Sequence, residues 1–538
     1  MAHDITADIL IIGTGVAGAM AGAKLAARGL SVAFLESGKR IDRYDAVEKF
    51  WNAKIKVPES PYPNDPEASH PLSHRIEDFY QQSGPELFKS TYIKVVGGTT
   101  WHWLGTTLRN LPSDFRLKSL YGHGVDWPLS YDDLEPFYLE AENEIGVAGD
   151  STEDLGSPRS GEFPMPQIAM TYLDKHFASA LDGTRYQVRA TPQGRNSLFH
   201  ADRPECCGNN SCIPICPIQA KYDATVHIAL AEQAGATIHD QTTATKLNVG
   251  ENGEIGSVEF RRADGTTGTA SGKVVIVAAH AIETPRLLLN SAQENAPNGV
   301  ANSSDQVGRN LMDHPTRLSW AEASEPVWPY RGPLSTSGIE NLRDGDFRKQ
   351  RGAFRIEIGN DGHSWPTGAP ATTAADLAAQ GLRGGELDAA IKDVTSRQIR
   401  LASLVEQSPD AENRVTLDPD KRDANGIPLP RIRYDFDAYT RNGLEAAEKA
   451  HEEVFAALGA RNVRHSPEAQ GAGHIIGTTR MGSDSASAVV DADLRSFDHR
   501  NLFLLGSGTF PTSATANPTL TIAALSLRAV DAIAASVK

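Results

Sequence analysis

Four consecutive apolar residues, Ile9–Ile12, run straight into Gly13, Gly15 and Gly18, and an Ala-rich stretch follows to Ala27. A short run without polar alternation reads as a parallel strand buried on both faces. Gly29 ends the helical stretch, a second apolar run fills Val32–Leu35, and Glu36 closes it. This is a βαβ unit of the usual size, about 30 residues. G-x-G-x-x-G alone is a weak signal. Here a strand precedes it, a helix follows, and an acidic residue stands 18 positions beyond Gly18, which is the full context of a dinucleotide site. Gly13 permits the tight turn, Gly15 lets backbone approach a pyrophosphate, and Gly18 lets the helix pack on the sheet. The helix start offers free N–H groups and a positive dipole end to phosphate. Glu36 can accept from both ribose hydroxyls and would repel a 2′-phosphate. The motif does not separate a nicotinamide from a flavin dinucleotide.

A chain of 538 residues asks for two to four domains, at roughly 100–200 residues each. With 52 Lys and Arg against 68 Asp and Glu, it carries sixteen net negative charges. That argues against nucleic acid or an anionic membrane as a main partner. No apolar run approaches the roughly 20 residues of a membrane helix, so no direct span is expected. The start lacks the basic residues and long apolar stretch of a secretory signal.

The four cysteines are Cys206, Cys207, Cys212 and Cys216, all within one short segment. A disulfide scaffold would spread them to close loops, so the cluster reads as a metal or iron–sulfur site. The Cys216-Pro217 ending is similar to iron–sulfur loops. Zinc is the alternative metal, although its usual second, distant knuckle is missing. Neighbouring side chains of an extended segment point opposite ways, so Cys206 and Cys207 are not both expected at one cluster.

Along the chain, residues 40–90 read as an irregular excursion, followed by VVGGTTWHW at 95–103. Helices are expected over Lys221–Ala234, Ile282–Asn290, near 374–392 and 441–458, and over Leu520–Ser536, with strands at Ala236–His239 and Gly272–Ala279. Sequence beyond about 466 returns to Gly-rich loops and the apolar run NLFLLG.

HIIGTTRMG (474–482) and VVDADLRSFDHRNLFLLGSGTFPTSATANPTLTIAALSLR (489–528) resemble the closing region of the glucose–methanol–choline flavoprotein oxidoreductases. NLFLLGSGTFPTSATANPTLT is especially similar to pyranose 2-oxidases. VVGGTTWHW resembles the family's flavin-contacting loop, and VGRNLMDHP (307–315) and IVAAHAIETPRLLL (276–289) extend the match over nearly the whole chain. The resemblance implies an α/β fold: a Rossmann-like FAD-binding domain with an inserted α+β substrate domain. Residues 1–315 would be mainly FAD-binding, with the cysteine loop near 200–220; 316–465 mainly substrate-binding; 466–538 a return carrying the catalytic pair. It implies FAD, contacted through Gly13, Gly15, Gly18, Glu36, Gly97, Gly98, Thr99, His102, Asn517 and Thr519. It implies His474 as the base and Asn517 as the group that holds the substrate oxygen. Some relatives tether FAD through a His in the glycine loop; His102 is the candidate for that bond, with simple packing beside the isoalloxazine as the alternative. Many relatives carry Gly or Asn where His280 stands.

CCGNNSCIPICPI (206–218) and YGHGVDWPLSYDDLEPFY (121–138) are similar to the catalytic subunits of bacterial FAD-dependent glucose, fructose, gluconate and sorbitol dehydrogenases. That resemblance implies a [3Fe–4S] cluster passing electrons to a cytochrome c subunit or a quinone-linked acceptor. It also implies a small partner subunit with a twin-arginine signal, and so a periplasmic place, a cytoplasmic one being the alternative. The expected activity is oxidation of a hydroxyl of a sugar, sugar acid or polyol. A glucoside 3-dehydrogenase and an oxygen-using pyranose-type oxidase are the other readings. The region 320–460 offers Tyr330, Trp365 and Glu406 as possible sugar contacts.

Overall fold

The computed structural model describes residues 4–52, 79–90, 92–213, 215–364 and 369–537. Trp365 lies outside them. The first strand, β1 (Ile5–Ile12), is the middle of a parallel array. It pairs with β2 (Val32–Leu35) on one side and with Thr267–Val277 on the other. Thr237–His239 and Leu502–Leu504 complete the five parallel strands. Ile9–Ile12 and all of Val32–Leu35 are buried, as unalternated apolar strands covered on both faces must be. The N-terminal half of Thr267–Val277 instead pairs antiparallel with Ile255–Arg262, which pairs with Thr242–Val249. One long strand thus serves two sheets' worth of neighbours. The helix α1 (Val16–Ala27) packs against the closing helix Thr519–Ala535, so the two ends of the chain share one core.

A second sheet has six strands, all antiparallel: Arg461–His465, Thr316–Glu322, Gln398–Val405, Phe354–Gly359, Ser337–Ile339 and Val188–Ala190. Its residues alternate between faces, as the pleat requires. Phe354, Ile356, Ile358 and Leu401 pack with Leu444, Val454 and Phe455 of the helix Ala438–Ala457. Arg355, Glu357, Arg400 and Ala402 belong to the opposite face, and that face turns towards the large cavity.

Three local expectations shift. Within the stretch 40–90, read as irregular, Arg43–Asn52 is a helix that packs Ala46 and Val47 against Val95 and Trp101, and residues 53–78 lie outside the described ones. The helix expected from Lys221 begins only at Thr225, because the residues before it are bonded elsewhere. Tyr222 N–H donates to the Gly194 carbonyl at 2.8 Å and Ala224 N–H to Thr100 Oγ1 at 2.9 Å. The stretch near 374–392 is two helices, Ala371–Ala379 and Gly384–Arg397, broken where Gly381 and Gly384 take positive φ. Among the described residues no helix is long and apolar enough to cross a membrane.

Glu406 is no sugar contact. It is fully buried beside Arg348, whose Nη2 donates to Glu406 at 2.6 Å and to Asp114 at 2.9 Å. Tyr439 donates to the same carboxylate at 2.8 Å. Tyr330 likewise turns away from the cavity, donating to Gln398 Oε1 at 2.9 Å. The Arg348 network ties the second sheet to the loop at Asp114. Arg348→Met strands two buried carboxylates and should cost about 3–5 kcal/mol, read as a lowered urea midpoint; an unchanged midpoint would show the network to be dispensable.

Candidate active site

One cavity of about 900 Å³ runs from the C-terminal ends of the parallel strands to the inner face of the second sheet. Ligands of open α/β sheets bind at that end of the strands. At its nucleotide end Gly13 has φ +102°, and a Cβ there would stand 2.5 Å from the Ala278 carbonyl oxygen. A Cβ on Gly15 would meet nothing within 4 Å, so this backbone is open to a ligand. Gly15 caps α1 without a side-chain hydrogen bond, and the first turn holds no acidic residue. These are the features of a phosphate-receiving helix start. Gly98, at φ +59°, brings the glycine loop across that start, its Cβ position 3.1 Å from Gly15 Cα.

Glu36 is buried, and burial pushes its carboxyl up from the usual range. It accepts from Thr14 N–H at 3.0 Å, from Thr14 Oγ1 at 2.6 Å and from Gly38 N–H at 2.8 Å. Thr14 Oγ1 in turn accepts from Gly97 N–H at 3.1 Å, so Thr14 links the two glycine loops. Sequence reading passed over it. His102 lies buried on the cavity wall, just after the turn Gly98–Trp101 that contains Thr99. His280 takes φ +75° and stacks on Tyr92 with ring centroids 4.6 Å apart. Burial pulls its imidazole down to about 4, so it stays neutral near pH 7.

At the other end His474 and Asn517 meet, Asn517 Nδ2 standing 3.3 Å from His474 Nε2. Asn517, Pro518 and Thr519 line the cavity where the closing helix begins. His474 Nδ1 is 2.9 Å from His314 Nδ1, and His314 Nε2 is 3.1 Å from the Ala514 carbonyl oxygen. A carbonyl only accepts, so His314 Nε2 carries the proton and its Nδ1 is an acceptor. His474 Nδ1–H must then donate to it, which leaves the His474 Nε2 lone pair facing the cavity. Asn517 agrees: Arg355 Nη1 donates to its Oδ1 at 3.4 Å, so its amide N–H points at Nε2.

Burial, with His314 and then Arg355 adding to it, holds the His474 imidazole well below the usual histidine range. Burial likewise pulls His314 down to about 4. Asp313 fixes the backbone beneath both rings, accepting from His314 N–H at 2.7 Å and His474 N–H at 2.9 Å. His314 and Asp313 sit inside the VGRNLMDHP motif, and the adjacent acid and imidazole were the signal available for them. Arg355 was legible only as one of two charges, with Glu357, that alternate with apolar residues along its strand.

The cysteines line a separate small cavity of about 10 Å³. Cys212 is buried, Cys206 and Cys216 are half-buried, and Cys207 is exposed. All four are free thiols. Cys216 Sγ accepts from Lys221 N–H at 3.5 Å. Among the described residues no three His, Cys, Asp or Glu side chains are grouped around a single ion. A multi-iron cluster sends each thiolate to its own iron and does not require that convergence.

Two profiles, both described as GMC oxidoreductase, match residues 175–316 and 409–526. The chain is 38% identical to the fructose dehydrogenase large subunit of Gluconobacter japonicus, over 98% of each chain. It is 26% identical to a 2-methyl-1,2-propanediol dehydrogenase of Mycolicibacterium austroafricanum, over 98% of this chain and 95% of that one. The solved structure of pyridoxine 4-oxidase from Mesorbium loti superposes with a TM-score of 0.64 at 17% identity, covering 98% of both chains. A βαβ nucleotide cradle, a His/Asn pair at the far end of the same cavity and full-length similarity make this chain a member of the GMC oxidoreductase family, an FAD-dependent dehydrogenase acting on CH–OH donors.

Proposed function

We propose that the chain oxidises a hydroxyl group of a sugar or polyol, and that electrons leave through a [3Fe–4S] cluster in the Cys206–Cys216 loop to a cytochrome or quinone acceptor. The observation that carries the first half is the chain of contacts from the Ala514 carbonyl through His314 to His474. It holds His474 in the tautomer that can take a proton from a substrate hydroxyl at Nε2. Asn517 cannot serve as the base. Its N–H, oriented by Arg355, is placed to hydrogen-bond the oxygen as negative charge develops. FAD, when bound, supplies the hydride acceptor at N5. Gly13 and Gly15 with the open start of α1 would hold the pyrophosphate, Gly18 supporting their turn by close packing on Gly13, Glu36 the ribose, and the loop Gly97–His102 the flavin. We assign His102 to flavin contact, with a covalent tether as the form to test.

The second half rests on the donor set. Four thiols line one cavity, and a backbone N–H reaches the Cys216 sulfur. Cys206, Cys212 and Cys216 are the ligands we assign. The relative named a large subunit supports a multi-subunit assembly, in which a small subunit would carry the export signal and place the enzyme in the periplasm.

D-fructose, the sugar in that relative's name, is the first donor to test, with phenazine methosulfate as acceptor under nitrogen. Bleaching of the flavin followed by dye reduction supports the reading. No bleaching with D-fructose, D-glucose or sorbitol overturns it. His474→Ala should slow bleaching about 10²–10⁴-fold at unchanged flavin content; a wild-type rate would remove His474 as the base. His314→Phe removes the acceptor that sets the tautomer, and at least a tenfold loss in kcat/KM is expected, with KM little changed. A base must be unprotonated to work, and the His474 imidazole is held low. The acid limb of kcat/KM should therefore fall below pH 6.5, the usual histidine value; a limb at or above it would contradict this environment.

A further inference from the structure

Arg195 is almost completely buried, yet it lines the cysteine cavity. Its Nη2 donates to the Leu104 carbonyl at 2.8 Å, while Nε and Nη1 have no hydrogen-bond partner among the described residues. A buried guanidinium with unused donors is destabilising unless a negative group meets it. Cys206, Cys212 and Cys216 line the same small cavity as Arg195.

Lys221 is the second buried cation. Its N–H reaches Cys216 Sγ, while its Nζ donates to the Trp101 carbonyl at 3.1 Å and the Trp103 carbonyl at 2.5 Å. Those two carbonyls flank His102. Arg195 and Lys221 also face each other across an isolated backbone bridge. Both side chains thus bind carbonyls of the segment Trp101–Leu104, Arg195 from the cysteine cavity and Lys221 from the residue whose backbone N–H meets Cys216 Sγ. Other charges near the loop are Arg203 and Asp223, and Arg43 Nη2 pairs with Asp223 at 2.6 Å.

We propose that Arg195 and Lys221 are positioning residues that raise the reduction potential of the iron–sulfur group and fix its distance from the flavin. The inference rests on the cluster assignment above. Three thiolates leave such a group net negative, and that charge grows by one with each electron received from the reduced flavin. Buried cations beside it stabilise the more negative state, which favours electron flow from flavin to cluster and then to the external acceptor.

The test is an EPR-monitored redox titration of the purified holoprotein, with iron and flavin determined on the same samples. Arg195→Gln and Lys221→Gln each remove a charge while keeping a donor for the loop carbonyls. Each should shift the reduced-to-oxidised ratio at fixed potential at least tenfold towards oxidised, about 59 mV downwards for a one-electron couple. Arg195→Lys, which keeps the charge, should stay near the wild-type potential. Full iron with unchanged potentials in both glutamine variants overturns the proposal. So does loss of iron from both at retained flavin, which would make the pair loop supports only. Wild-type protein without iron would instead overturn the cluster assignment itself.

Discussion

At Gly13 the chain passes from strand to helix so tightly that the Ala278 carbonyl occupies the place of a side chain. Much follows from this contact. It holds β1 against the end of Thr267–Val277 and aims the start of α1 into the cavity. Gly98 then crosses that start at backbone distance, so the second glycine loop is located by the first. From Gly98 the chain runs through His102 to Trp103, whose carbonyl receives Lys221. The first glycine loop, the second glycine loop and the cysteine loop are thus linked in turn, the last through the Lys221 side chain.

The opposite wall is built on another principle. The second sheet presents a face with charges among small residues: Arg355 and Glu357 on one strand, Arg400 and Ala402 on the next. Arg355 pairs with Glu340 at 3.0 Å and with Glu357 at 3.4 Å, and Arg400 with Asp361 at 2.9 Å. Buried ion pairs seldom add stability over a well-packed apolar wall. Their effect here is directional, since Arg355 orients Asn517 and so the group facing His474. The sheet thus contributes chemistry as well as shape.

How much of this was legible in the sequence differs by element. β1, α1 and β2 were, because unbroken apolar runs and fixed glycine spacing admit few alternatives. His474 and Asn517 were found through resemblance and not through periodicity, whereas the cysteine loop stood out by its spacing and the resemblance only sharpened it to a [3Fe–4S] site. His314, Thr14, Arg195 and Lys221 were not read as functional residues. Each acts through a partner far away in sequence, and such pairing leaves no local pattern. Glu406 and Tyr330 were read as sugar contacts because acidic and aromatic residues suit sugars, but the same side chains also satisfy buried arginine and glutamine. Lys221 shows the limit well. Local propensity started a helix at it, and bonds from residues 221–224 to Thr100, Trp101 and Trp103 prevailed.

On the function proposed above, hydroxyl oxidation at His474 and electron exit through the cysteine loop occur in one chain. The direct test is low-temperature EPR of anaerobically purified protein, before and after addition of D-fructose, combined with iron analysis. About three irons per chain and an oxidised-state signal that vanishes when the sugar is added are expected. Flavin that bleaches with the sugar and recovers rapidly in air, in protein without iron, would contradict it and leave an oxygen-using oxidase.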